Sequence, residues 1–160
     1  MRNLIIPEGT EKIGNHWFWG SMIESVMVPA SVREIGTDAF YGCVDLKCVN
    51  FAPESRLEKV ESTCFCNSGI ERIAIPKGVE EIPIGAFESC KSLKEVVFET
   101  GSTLKKIGDY VFWYCTSLRS IQFPDCLETI GRYCFSDSCL EDVVIPASVK
   151  NIEPWAFKHC

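Results

Sequence analysis

The sequence contains little of what most catalytic sites require. It has only two histidines, His16 and His159, which fall in the first and last of the repeats described below. Because they lie at opposite ends of the repeat array, they cannot serve one shared site, and His16 has no cysteine in its own repeat to activate. No glycine-rich phosphate loop is present, and the 22 acidic residues form no distinctive carboxylate pair. We therefore predict a protein that is not an enzyme and needs no cofactor.

Positive charge is also scarce. The 16 Lys and Arg residues are outnumbered by the acidic ones, which gives a net charge of -6 at pH 7. Such a chain repels phosphate backbones, and it has no polybasic stretch to attract anionic lipid. No apolar run approaches the ~20 residues that span a bilayer, and Met1–Pro7 is too short for a signal peptide. We predict no nucleic-acid partner and no membrane span in this chain, with a cytoplasmic location left open.

The sequence is instead rich in internal repetition. An Ile-Gly pair followed four residues after the glycine by a phenylalanine occurs four times, ending at Phe18, Phe40, Phe112 and Phe135. Aligned on these marks, units begin near residues 1, 23, 46, 70, 93, 118 and 140, so a unit has roughly 23 residues. The shared pattern reads L-x-x-I-x-I-P-x-x-V-x-x-I-G-x-x-A-F-x-x-C. It predicts a single solenoid domain of about seven turns over residues 1–160.

Each mark in the unit predicts local structure. Positions 4 and 6, such as Val26 and Val28, alternate as in a strand that stacks in parallel on its neighbours. The proline that follows, such as Pro29, removes a backbone donor and ends the strand. Ala39 and Phe40 place a small and a large side chain in the core, and the spacing from Phe to Cys suits a 3₁₀ segment. We expect a parallel sheet on one face, with short turns, strands or 3₁₀ segments on the other.

Units three and five depart from the pattern. Residues 51–57 and 98–104 are two residues longer between the strand and the next core residue, and both lack the proline directly after the strand. We expect slightly bulged turns at the same corner of the coil.

The unit resembles the BspA-like leucine-rich repeat, known from surface proteins of anaerobic bacteria and some parasitic protists. The resemblance covers the whole chain and is closest over residues 26–43 and 73–90. It implies a leucine-rich-repeat solenoid. Because family members are described as adhesins, it also implies a non-enzymatic module, at the cell surface or secreted, that binds host matrix or other cell-surface proteins. The alternative is an intracellular leucine-rich-repeat scaffold for protein–protein interaction.

The ten cysteines are explained mainly by repeat phase. Cys43, Cys90, Cys115 and Cys160 share the last core position with Ser21, Ser68 and Ser138. That position favours a small residue with a weak hydrogen-bonding group. Equivalent residues in stacked turns have parallel Cβ vectors, which suits disulfides poorly. We predict reduced cysteines and no metal site, although a zinc site involving Cys64, Cys66, Cys134 and Cys139 is the alternative.

The strand face is the first candidate binding surface. Position 5 points away from the core and is apolar in five of seven units, at Ile5, Met27, Asn50, Ala74, Val97, Gln122 and Val144. Arg72, Glu95 and Asp142 flank this row at position 3. An exposed apolar row often marks an interaction surface, whereas strand propensity alone also favours Val and Ile there. Position 2 alternates in charge sign over five turns, which predicts ion pairs between neighbouring turns.

The second candidate surface is aromatic. Tyr110, Tyr133 and Trp155 share the phase two residues before the core phenylalanine, so we expect them to cluster over the last three turns.

The ends of the chain suggest a fragment of a longer array without caps. A solenoid requires polar caps, and uncapped ends permit end-to-end self-association.

Overall fold

The computed structural model describes residues 2–160 of the chain. These residues form a coil of short strands and turns. The strands are β1 (Asn3–Ile5), β2 (Lys12–Ile13), β3 (Ser25–Val28), β4 (Glu34–Ile35), β5 (Cys48–Phe51), β6 (Lys59–Val60), β7 (Arg72–Ile75), β8 (Glu81–Ile82), β9 (Glu95–Phe98), β10 (Lys106–Ile107), β11 (Thr129–Ile130) and β12 (Asn151–Ile152). All strand pairs are parallel, as expected for a solenoid.

The front of the coil is a five-stranded sheet in the order β1-β3-β5-β7-β9. Side chains alternate across it, so that Val26 and Val28 of β3 are buried while Met27 between them is exposed. The predicted inward and outward positions are therefore confirmed in these strands. Pairing is weakest after the longer third unit, where Cys48 and Arg72 are the only register partners of β5 and β7.

The back of the coil holds the two-residue strands, in one sheet of β2-β4-β6 and another of β12-β11-β10-β8. Turns connect them, and no helix of any kind occurs within residues 2–160. For the back of the coil, the sequence predicted short turns, strands or 3₁₀ segments. Turns and strands are present among residues 2–160, and 3₁₀ segments are not. Where a 3₁₀ segment was expected after Phe40, a single turn is closed by a hydrogen bond from the Cys43 N–H to the Phe40 carbonyl.

A continuous stack of phenylalanines forms the centre of the core. Consecutive rings lie 5.2, 5.3, 5.4, 5.6, 5.1 and 5.3 Å apart between centroids, in the order Phe18, Phe40, Phe65, Phe87, Phe112, Phe135 and Phe157. The five inner rings are fully buried. Each buried phenylalanine stabilises the fold by about 1.5–3 kcal/mol, so this column links every turn to the next.

Two residues in each turn have a left-handed backbone, two positions before and two positions after the core phenylalanine. Around Phe112 these are Tyr110 (φ 58°) and Tyr114 (φ 59°), and around Phe87 they are Gly85 (φ 64°) and Ser89 (φ 57°). Their N–H groups point along the stack: that of Tyr110 donates to the Arg132 carbonyl in the next turn at 2.9 Å. These hydrogen bonds between turns hold residues other than glycine in a conformation that they rarely adopt.

The two longer units bulge at one corner, as predicted. Glu54 in unit three and Gly101 in unit five both lie three residues after the end of their strand, and both have positive φ, at 59° and 79°. A left-handed residue at this position turns the extra length outward before the core resumes at Leu57 and Leu104, which are fully buried.

The front sheet does not extend over the last two turns, contrary to the sequence-based expectation. After β9 the equivalent residues 119–123 form no strand, and only a single bridge joins Ser120 to Asp142 in the final turn. This interruption comes directly after the longer fifth unit. The back remains joined there, because β10 pairs with β11 through Lys106–Thr129 and Ile107–Ile130.

Candidate functional site

The outward side of the front sheet is open to solvent. Ile5 and Met27 lie side by side in register and are 74% and 47% exposed, and Met27 in turn pairs with Asn50. Ala74 is also exposed, and its register partner Val97 is partly exposed. The sheet therefore brings the first five predicted residues of the row onto one surface, in strands β1 to β9.

The last two residues of the predicted row lie outside the hydrogen-bonded sheet. Gln122 and Val144 are exposed, with Val144 at 83%, but neither belongs to a strand. Val97 and Gln122 line one opening at the front, and Gln122 and Val144 line the next. The front sheet therefore carries the row only through β9, and the role of the seven residues in binding stays a prediction.

An open cleft lies at this interruption. It has a volume of about 850 Å³ and lies between β9 with its following turn on one side and residues 120–126 on the other. A smaller opening of about 380 Å³ continues between the sixth and seventh turns, beside Gln122, Asp142 and Val144. The larger cleft falls in the size range of ligand pockets, about 300–1,000 Å³.

The charged flank of the row is neutralised by pairs between turns. Arg72 lies 2.9 Å from Glu95, and both are exposed. At position 2, Lys94 pairs with Glu71 at 2.9 Å, which lowers the pKa of the Glu71 carboxyl. Ion pairs also join Arg2 to Glu24 and Arg119 to Glu141, as the sign alternation predicted. Because these pairs are exposed and screened by solvent, each contributes little to stability, which favours a role in register.

The aromatic cluster over the last three turns is a stacked ladder. Tyr110 and Tyr133 lie 5.3 Å apart and Tyr133 and Trp155 lie 5.1 Å apart, with nearly parallel rings. Arg132 lies over the Trp155 ring at 5.8 Å, and Lys158 lies over Tyr133 at 5.9 Å. The structure brings these residues together as predicted, and Trp155 at the end of the ladder is 53% exposed. A role of the ladder in binding stays a prediction.

A ladder of serine and cysteine side chains, one from each turn, lies along the stack. The Cys90 thiol donates to the Phe65 carbonyl at 3.1 Å and lies 3.3 Å from the Ser68 hydroxyl. The same geometry recurs at Cys43 with Ser21 and at Cys160 with Ser138. A small residue with a hydrogen-bonding group is therefore what this slot accommodates.

All ten cysteines are unpaired, and burial keeps most of them protonated. Burial raises the pKa of Cys90 to about 11, and burial, together with the charge of Glu88, raises that of Cys66 to about 12. The pKa values of Cys64, Cys115 and Cys134 are raised well above the usual range for the same reason. Because the thiolate is the nucleophile and the metal ligand, these groups are poorly suited to either role.

Neither a metal centre nor a membrane-spanning helix is found among residues 2–160. No three His, Cys, Asp or Glu side chains in this range gather in a way that could hold an ion. No helix in the same range has the length and apolarity that crossing a membrane requires.

Two histidine–aspartate pairs were missed by the sequence reasoning. His159 Nδ1 lies 3.0 Å from an Asp137 oxygen, and His16 Nδ1 lies 3.5 Å from Asp38. Hydrogen bonds from Ser136 and His159 lower the pKa of Asp137. The partners occupy equivalent left-handed positions in adjacent turns, so aligning the residues two before and two after each phenylalanine would have revealed both pairs. Both histidines are exposed, and the Ser136 hydroxyl beside Asp137 is turned to that carboxylate.

The fold is shared with solved leucine-rich repeat proteins. The leucine-rich repeat protein of T. pallidum is 25% identical, with a TM-score of 0.84 over 94% of this chain and 72% of that one. The pneumococcal vaccine antigen PcpA is 22% identical, with a TM-score of 0.83 over 92% of this chain. A leucine-rich repeat protein from Bacteroides ovatus is 24% identical, with a TM-score of 0.55 over 95% of this chain and 53% of that one. This chain spans 41% of the PcpA chain.

The family is established by sequence. No curated protein matches the chain significantly. The model of the BspA type leucine rich repeat region matches in six copies, over residues 1–101 and 53–160. Together these matches cover every repeat whose stacking is described above. The chain therefore belongs to the BspA-type leucine-rich repeat family.

Proposed function

We propose that this chain is a non-enzymatic protein-binding module of adhesin type, at the cell surface or secreted, whose front sheet contacts host matrix or other cell-surface proteins. The observation that carries the proposal is the open face of the front sheet. Parallel sheets usually have both faces covered, yet here Ile5, Met27 and Ala74 face solvent. An extended repeat surface with exposed apolar residues is how solenoids commonly bind proteins.

The repeat family supports a binding role. The buried thiols are held protonated, and leucine-rich repeats typically serve as non-enzymatic scaffolds. The surface location rests on the habit of the family, since BspA-like proteins are known as surface proteins.

A direct binding experiment tests the site. We expect the chain to bind immobilised fibronectin or fibrinogen saturably, and a variant with Ile5→Glu, Met27→Glu and Ala74→Glu to lose at least about tenfold in affinity, because three charges would face the desolvated contact. The matched control carries Met22→Glu, Val44→Glu and Ile84→Glu, three exposed apolar residues in turns away from the front strands. It should bind like the original chain. Equal binding by both variants would remove the front row from the site.

An intracellular scaffold is the second candidate, favoured by the ten unpaired cysteines. Free thiols persist in a reducing compartment, whereas secreted proteins usually pair them. Protease treatment of intact producing cells distinguishes the two: loss of the chain indicates surface exposure, and full survival, with digestion only after lysis, indicates an intracellular protein.

A further inference from the structure

The cleft beside β9 has walls made of unpaired main-chain groups. The N–H groups of Glu95 and Glu99 donate to the Glu71 and Ile75 carbonyls of the preceding turn. Because main-chain groups alternate sides along a strand, those of Val96 and Phe98 point the other way, into the cleft. The edge of β9 is therefore a strand edge without a partner.

The opposite wall is equally unpaired. If the front sheet continued in the same register, the Ser120 N–H would donate to the Lys94 carbonyl and the Gln122 N–H would donate to the Val96 carbonyl. Within residues 2–160, no main-chain hydrogen bond joins 94–98 to 119–123, and the N–H groups of Ser120 and Gln122 have no partner. At every earlier junction of the front sheet the N–H at position 2 donates to the preceding turn, as Lys94 does to the Glu71 carbonyl at 2.8 Å, whereas the equivalent N–H of Arg119 has no partner among residues 2–160.

The side chains around the cleft define what would fit beside these groups. Val96, Ile121 and Phe123 are almost fully buried at its floor, which suits apolar side chains at alternate positions of an extended segment. Its lining carries the carboxylates Glu95, Glu99 and Asp125 and no lysine or arginine, although Glu95 pairs with the neighbouring Arg72 at 2.9 Å and Glu99 accepts a hydrogen bond from the Lys77 N–H at 3.0 Å. Asp125 is exposed and makes no ion pair in the described part of the chain.

From these observations we infer that the cleft binds an extended, lysine- or arginine-bearing segment of a partner protein, which adds a strand between β9 and residues 119–123. Main-chain hydrogen bonds give such a strand its affinity, and alternate side chains give it specificity. This inference rests on the proposed protein-binding function and assigns it a second, separate contact. It uses none of Ile5, Met27 or Ala74, so the two sites can fail independently.

The test uses a synthetic peptide, acetyl-Lys-Val-Thr-Val-Thr-Val-Lys-amide, and a version N-methylated at its valines. The unmethylated peptide should bind saturably in fluorescence anisotropy and slow amide exchange at Val96 and Phe98. The methylated peptide should bind at least about tenfold more weakly, since it loses donors along one edge. Absence of binding, or equal affinity of the two peptides, would overturn the inference whether or not the chain binds fibronectin.

Two variants locate the contact. Gln122→Pro removes a main-chain donor that has no partner in the free chain, so peptide binding should fall by about tenfold with little effect on folding. Gln122→Ala removes only the side chain and should bind the peptide normally. If the proline variant misfolds, the comparison of the two peptides on the unaltered chain still tests the inference. Unchanged binding by a folded Gln122→Pro variant would contradict insertion at this edge.

Discussion

At the residue scale, the most informative feature is the column of serine and cysteine side chains, most of which are buried. A serine takes this position in three turns and a cysteine in four. Each of the four thiols donates to a carbonyl of the previous turn. The column pairs these carbonyls while adding little volume, which explains four of the ten cysteines.

The first prediction concerns alkaline pH. The unfolded Cys90 thiol ionises near its usual pKa, whereas in the folded chain burial raises this pKa to about 11. The neutral folded thiol therefore contributes stability that is fully present below about pH 9 and lost as pH rises toward about 11. Cys90→Ser, the residue found at this position in other turns, should flatten the fall in unfolding free energy over that range. Urea unfolding at about pH 8 and about pH 10 measures it.

Cys139→Ser is the control for this prediction, because Cys139 is exposed. It should leave the pH dependence of unfolding unchanged. A slope in Cys90→Ser equal to that of the original chain would show that the Cys90 thiol does not titrate as its burial requires.

At the scale of the element, each back turn depends on two left-handed residues that the sequence does not mark. They are glycine in some turns and His, Asp, Asn, Tyr, Trp, Ser or Thr in others. Since the identity varies, no residue type indicates the conformation. It is imposed by the hydrogen bonds between turns, such as Ser89 N–H to the Trp113 carbonyl at 2.8 Å.

The second prediction follows from that strain. Holding a residue other than glycine in the left-handed backbone region costs about 1–2 kcal/mol. Glycine removes this cost, but its flexible backbone loses more entropy on folding, which costs about 0.5–1 kcal/mol. Ser89→Gly should therefore stabilise the chain by about 0.5–1 kcal/mol. Ser92→Gly, three residues later and without positive φ, should destabilise it. Chemical denaturation of both variants checks the opposite signs, and stabilisation or destabilisation by both would refute this explanation.

How far the sequence predicts the fold also differs between elements. The phenylalanine stack, the in-and-out pattern of β3 and β7, and the two bulged corners follow from residue spacing within a unit. The end of the front sheet after β9 does not, because pairing between turns depends on how neighbouring units stack. Unit length is the sequence feature that could have indicated the end of the sheet, because the two weak junctions of the front sheet directly follow the longer units three and five.

At the scale of the whole molecule, the chain is one stack whose front and back are not equally continuous. Between units five and six the back is joined by β10 and β11 and by the ring contact of Phe112 with Phe135, while the front is open. The candidate site could be predicted only in part for this reason. The exposed residues Ile5, Met27 and Ala74 were evident from alternation, whereas the cleft requires knowing where the stack separates.

The most direct test of this account is residue-resolved amide hydrogen exchange on the free chain. The amides of Val96, Phe98, Ser120 and Gln122 should exchange far faster than those of Val26 and Ile73 in the paired front strands. On the back of the coil, the paired Gly131 amide, which donates to the Ile107 carbonyl at 2.8 Å, should likewise be protected. Strong protection at Val96, Phe98, Ser120 and Gln122 would mean a closed front sheet and would contradict the account.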